Sequence, residues 1–210
     1  MKVKSLLLLF IAFGFGCGHP DAKKQSNDSG WTDSSSTRNY YEYLNFRESE
    51  SADKDYNHLG KITRLISFEI PDTSFEGGVR KWIALENPTE DIQLLADRDL
   101  IVIDTNSITL VLDYPLIREF LFELKSSGGF TKGKLVQMIS KQYHDIYSVE
   151  EETATVKTVP PDKRVGMYNR NITNGKFGIW GHDLSDLVLS TIRIHRDDQG
   201  KVIVSLEIQS

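Results

Sequence analysis

The sequence predicts an α+β fold, a mostly antiparallel sheet with one long helix over about 131–148 packed on it. Three observations carry this expectation. From about Lys61 onward, short apolar runs recur at period two, as in half-buried strands. One stretch, after Thr131, repeats its apolar residues at helical spacing. Clusters of turn-forming residues separate the runs. The chain divides into residues 1–16, a polar stretch over 17–56, and a single domain over 57–210. That domain, roughly 150 residues, is long enough to bury about two-thirds of its chain surface.

In chain order, Ile62, Ile66, Phe68 and Ile70 mark the first strand, and Val79 to Leu85 is a weaker strand candidate. Leu100–Asp104 and Ile108–Asp113 are apolar runs joined by Thr105-Asn106-Ser107, which predicts a hairpin. Over Leu116–Leu124, Phe120, Phe122 and Leu124 alternate with Glu119 and Glu123. Thr131 is a good N-cap, and Phe130 with Leu135 stands where a hydrophobic staple pairs its residues. Leu135, Met138, Ile139, Tyr143 and Ile146 then form one apolar face, and Glu150-Glu151-Glu152 opposes the helix dipole, which sets the expected end near Ser148. Asn174-Gly175 is a strong short hairpin signal, because both residues accept φ > 0. Leu187–His195 and Val202–Ile208 close the domain as a hairpin across Asp197-Asp198-Gln199-Gly200.

The N-terminus carries a different kind of information. Lys2 and Lys4 precede an apolar run from Leu6 to Phe13, and small residues lead to Cys17, the sole cysteine. This is the pattern of a secretory signal over 1–16, and the run is shorter than the roughly 20 residues that span a bilayer. Gly14-Phe15-Gly16-Cys17 resembles the lipobox of bacterial lipoproteins, with Gly14 where that family usually has leucine. The resemblance implies that Cys17 becomes a lipid-modified (palmitate-bearing) N-terminus anchored in the cell membrane. Gly18, in place of a retention aspartate, leans the anchor toward the outer membrane, facing periplasm or cell surface. With one cysteine no intramolecular disulfide forms, and a lipidated Cys17 leaves no thiol for catalysis or metal binding. Gly18 to Asn39 contains no Leu, Ile, Val, Met or Phe, so it is expected to be a disordered tether of roughly 25 Å r.m.s. span. In the stretch after it, Tyr40, Tyr41, Tyr43, Leu44 and Phe46 suit either docking on the domain or a short turn of helix.

Charge narrows the partners. Without residues 1–16 the chain keeps 23 basic against 30 acidic side chains. A net negative surface argues against nucleic acid. Gly128 to Gly133-Lys134 has the spacing of a phosphate loop. Leu135 nevertheless stands where that loop needs a hydroxyl for magnesium, and the acidic strand Leu100–Asp104 precedes the loop instead of following it. No nucleotide and no cofactor are expected. Ser51-x-x-Lys54 has the spacing of penicillin-recognising serine enzymes, without their Ser-Asp-Asn and Lys-Thr-Gly partners. No Gly-x-Ser-x-Gly elbow occurs.

Two constellations remain. If Gly181–Asp186 is helical, His182 and Asp186 share a face. With Asp183, and with His144 from the long helix nearby in space, they form an incomplete metal site. The plainer reading is a polar turn in which Asp183 or Asp186 caps the next element, and no metal is assigned. In the segment 166–187, a hairpin at Asn174-Gly175 would put Asn169, Asn171, Thr173, Lys176 and Trp180 on one face. A flat aromatic beside amides and an amine suits a polar ring such as a sugar. Against this, Trp180 also suits covering a sheet edge. The block is similar to a Tyr-Asn-Arg…Gly-Ile-Trp-Gly-His-x-Leu block of uncharacterised bacterial proteins, and that similarity implies no activity. The favoured expectation is a lipid-anchored envelope binding or structural module, with a polar-ligand face around Trp180 and a glycan or protein partner in the envelope. The alternative is an envelope hydrolase, metal-assisted, using His182, Asp183 and Asp186.

Overall fold

The computed structural model describes residues 34–52, 54–166 and 168–210, so the expected signal peptide and Cys17 lie outside the described residues. The chain forms three α-helices among those residues, α1 (Ser34–Ala52), α2 (Thr89–Leu94) and α3 (Lys132–Thr153). Ten strands accompany them: β1 (Lys61–Ser67), β2 (Ile70–Pro71), β3 (Val79–Arg80), β4 (Ile83–Ala84), β5 (Ile101–Ile103), β6 (Ser107–Leu112), β7 (Phe120–Lys125), β8 (Phe130–Thr131), β9 (Val188–Arg196) and β10 (Val202–Gln209). This is an α+β fold with one long helix. No helix among the described residues is long and apolar enough to cross a membrane.

The principal sheet runs β1-β9-β10-β6-β7, with β4 also pairing β9. It is mixed, which corrects the expectation of a mostly antiparallel sheet: β10 lies parallel to β6, with Ile203 opposite Thr109 and Val204 opposite Leu110. The alternation of apolar residues reports which face a side chain occupies and says nothing of strand direction. The closing hairpin forms as expected, β9 against β10. The hairpin expected between the runs at 100–104 and 108–113 does not. β5 leaves the sheet to pair with β8, while β6 pairs with β7 over Ser107–Leu112.

One face of the sheet and α3 share the core. Leu110, Leu112, Ile192, Val204 and Leu206 are buried in one cluster with Leu135, Val136, Ile139, Tyr143 and Ile146. Thr131 caps α3 by accepting the N–H of Lys134 (3.3 Å), and Phe130 and Leu135 are both fully buried, as a staple requires. The next amides of this turn are also satisfied within the chain, Lys132 N–H on Leu100 O and Gly133 N–H on Arg98 O.

Two expectations change here. α3 continues to Thr153, past the expected end near Ser148, because Glu150 does not face solvent. Its carboxylate accepts the backbone N–H groups of Gly175 (2.8 Å), Phe177 (2.7 Å) and Gly178 (3.1 Å). That same carboxylate replaces the hairpin expected at Asn174-Gly175. A Cβ on Gly175 would lie 2.6 Å from Glu150 Oε2, so glycine serves close approach there, and Gly175 is absent from the positive-φ glycines. The second change is α1. The chain is helical over Ser34–Ala52, which includes part of the stretch expected to be tether, and Tyr40 and Leu44 are buried in the core cluster, the docking that their stretch allowed.

Candidate functional site

A cleft lined mainly by polar side chains lies where the C-terminal half of α1 meets the end of β10. The cleft encloses about 430 Å³. α1 supplies Glu48 and Ser51, the following segment Lys54 and Tyr56, the connection after β6 Asp113 and Tyr114, the sheet Arg193 and Glu207, and the residue after β10 Ser210.

Its charges are largely closed within the wall. Lys54 Nζ sits 2.5 Å from Asp113 Oδ2, which also accepts the Tyr56 hydroxyl at 2.7 Å. Arg193 Nη2 meets Glu207 Oε2 at 2.6 Å and its Nη1 donates to Leu206 O at 3.3 Å. Tyr114 donates to Glu48 Oε1 (2.9 Å) and shares a hydrogen bond with Ser210 Oγ (2.7 Å). Burial, then the neighbouring Asp113 carboxylate, pushes the Tyr56 phenol well above its ordinary range. Burial does the same for Tyr114, with the Glu48 carboxylate adding to it against the Ser210 hydrogen bond. Both phenols therefore stay neutral and serve as hydrogen-bonding groups.

The cleft brings together a serine, a histidine and a carboxylate, yet the connectivity is wrong for a relay. Glu48 Oε1 lies 2.7 Å from His182 Nε2, and Ser210 Oγ lies 3.5 Å from that same nitrogen. A nucleophile–base–acid relay needs the two ring nitrogens divided between its partners. Here they compete for one. Ser51-x-x-Lys54 also lines the cleft, but the Lys54 ammonium is committed to Asp113 and is not a free base. In this cleft Lys54 is paired with Asp113, and Ser210 shares one His182 nitrogen with Glu48.

The residues expected to form the metal site are dispersed over separate partners. Asp183 is held bidentately by Arg164 (2.6 and 2.9 Å), with Arg170 at 3.6 Å. Asp186 Oδ2 accepts the Asp183 N–H (2.9 Å), capping the 3₁₀ turn Leu184–Asp186, which is the plainer reading of that turn. His144 Nε2 contacts Glu86 O at 2.8 Å. Among the described residues no group of three or more His, Cys, Asp or Glu side chains is placed to hold a metal ion. The hydrolase as drawn on His182, Asp183, Asp186 and His144 lacks its ligand set.

The ring-binding face at Trp180 is not assembled either. Trp180 is 1% exposed and its Nε1–H donates to Leu116 O (3.2 Å). Tyr114 meets it edge-on at 5.2 Å and His182 at 5.6 Å. Asn171 is buried, accepting from Val159 N–H (2.7 Å) and donating to Lys157 O and Ile172 O. Lys176 is exposed over the Phe177 ring, and Asn169 is half-buried. The Asn-Gly turn that would have aligned these residues is replaced by the wrap around Glu150. Trp180 instead backs the cleft through Tyr114.

The chain matches no family model, no curated protein and no solved structure. The residues that make the cleft, Tyr56, Asp113, Tyr114, Arg193 and Glu207, come from segments far apart in the sequence and share no spacing that would have announced them. Sequence singled out Ser51 and Lys54 in the wall, by their spacing alone, and His182, which stacks on the wall residue Tyr114 at 5.4 Å.

Proposed function

We propose that this protein is a lipid-anchored binding module of the cell envelope, and that its ligand site is the cleft between α1 and β10. The lysines, apolar run and lipobox-like Gly14–Cys17 support the address, with the lipid on Cys17 as the membrane contact and the outer membrane as its favoured location. One observation carries the binding role: a cavity of about 430 Å³ whose walls are polar but whose cations are already paired. That volume falls in the range of small-molecule sites, roughly 300–1,000 Å³.

Because Lys54 and Arg193 are matched by Asp113 and Glu207, and Glu48 adds a further acid, the cleft does not recruit a polyanion. Carboxylates that accept, cations that donate, and neutral phenols that do both fit an uncharged, hydroxyl-rich ligand of the glycan class. Calorimetric titration of the full chain with envelope glycan fragments tests this reading. Saturable binding to at least one fragment is expected, lost in Asp113→Asn, which removes the charge that orders Lys54 and Tyr56. Absence of binding across the panel refutes it.

A further inference from the structure

The cleft does not stand alone. Two further cavities open to solvent beside it, and each shares wall residues with it. One, of about 290 Å³, shares Ser51, Lys54 and Asp113 and runs out to Arg47, Ile117 and Arg118. The other, of about 400 Å³, shares Lys54, Tyr56 and Arg193 and runs out to Ile62 on β1. Apart from Lys54 the two flanking cavities have no wall residue in common, so they leave the cleft in different directions. Lys54, held on Asp113, borders all three.

The sheet supplies a ruler. Ile62, at the β1 end, stands opposite His195 of β9, and Gln209, at the far side of the cleft, stands opposite Val188 of the same strand. Those seven steps along β9 cover about 23 Å at about 3.3 Å each. A compact ligand that filled only the 430 Å³ cleft would be about 9 Å across. The chemistry repeats along this length as well. Arg47 meets Glu50 at 3.1 Å in the first flanking cavity, Lys54 meets Asp113 at 2.5 Å, and Arg193 meets Glu207 at 2.6 Å. From Arg47 to Glu207 the walls thus present matched pairs of donors and acceptors, one after another.

From this continuity we infer that the site takes a linear glycan chain of several sugar units, laid along the cleft and both flanking cavities and across Lys54. The inference rests on the reading of the cleft as a glycan site. A polymer that carries hydroxyl groups on every unit meets the same kind of donor and acceptor pair at each step. An extended peptide fits less well, because peptides are selected by pockets for their side chains. The exposed apolar groups here, Ile62 and Ile117, stand singly at the two ends.

Calorimetric titration of the full chain with a homologous series of envelope glycan fragments, from one sugar unit to six, tests the chain reading. Affinity should rise at least about tenfold from the disaccharide to the hexasaccharide and then level off. Arg118→Ser and Ile62→Ser change exposed side chains that lie beyond the cleft. Each should remove several-fold of the hexasaccharide's advantage and leave disaccharide binding as it was. Equal affinity for every length overturns the inference while the cleft stays a glycan site. Binding by no fragment refutes the cleft reading itself, and this inference with it. End variants that weaken both lengths alike also overturn it, because the ends then act through the fold. So does tighter binding of extended peptides than of any glycan fragment.

Discussion

Replacing Glu150 by alanine is expected to be among the most damaging single changes in this chain, and the structure gives the size of the loss. The carboxylate is fully buried and accepts three backbone N–H groups from the 175–178 segment at 2.7–3.1 Å. Alanine leaves Phe177 and Gly178 as buried donors with no acceptor, at about 1–3 kcal/mol each. The half-buried Gly175 amide regains water. The expected loss is about 4 kcal/mol, or roughly 8–16 °C in Tm for a chain of this length. Scanning calorimetry of Glu150→Ala against wild type measures it. The pH dependence is a second reading of the same group. Burial alone would raise its pKa, but hydrogen bonds from Thr173, Phe177, Gly175 and Gly178 together hold it below the ordinary carboxylate value of 4.5. A depressed folded-state pKa contributes stability above the unfolded value, and this contribution is lost as pH falls from about 4.5 through the folded one. Glu150→Gln, unable to titrate, should show a flatter decline below that pH. A Glu150→Ala protein melting within about 2 °C of wild type would refute the reasoning.

Three further outcomes follow from other parts of the fold. Residues 57–210 alone should unfold at lower denaturant than a chain that retains α1, because Tyr40 and Leu44 fill the core and Glu48 bonds His182 and Tyr114. Leu44→Ala in the full chain should cost about 2–5 kcal/mol in urea unfolding. His195 is fully buried between Gly60 O (3.3 Å) and Ser205 Oγ (2.8 Å), and burial, with Arg193 and His58 adding like charge, lowers its pKa from the ordinary 6.5. The unfolded chain then takes up a proton first as pH drops. Stability present above pH 6.5 declines below it, and His195→Gln should flatten the slope between pH 7 and 5.5 in urea midpoints.

How far the sequence was legible depends on how local each feature is. The α3 start, with its Thr131 cap and Phe130–Leu135 staple, and the β9–β10 hairpin depend on residues a few positions apart, and both were readable. The helical state of 34–52 was not. Its first residues, 34–39, carry no large apolar side chain, the aromatic cluster from Tyr40 fitted docking as well as a turn of helix, and the docking is completed by polar contacts such as Arg47 to Leu116 O and Tyr40 to Arg170 O. Helices of this kind are held by tertiary packing more than by propensity. The parallel β10–β6 pairing joins segments about ninety residues apart, and no periodicity encodes it. At Asn174-Gly175 the local hairpin signal was genuine, but a carboxylate 25 residues upstream captured the amides the hairpin would have paired. The same misreading displaced the candidate site. Trp180 was expected on an open face and instead lies behind Tyr114, so the groups available to a ligand come from segments that no motif connects.

The binding role of the cleft is best tested by following the Trp180 indole N–H resonance of the full chain while envelope glycan fragments are added. Trp180 is buried but lies edge-on to Tyr114, a cleft wall, at 5.2 Å, so it senses occupancy without being a contact. A saturable shift of that resonance is expected with at least one fragment, abolished by Arg193→Met while the rest of the spectrum keeps its folded dispersion. A spectrum unmoved by every fragment, or a shift that survives Arg193→Met unchanged, would contradict it.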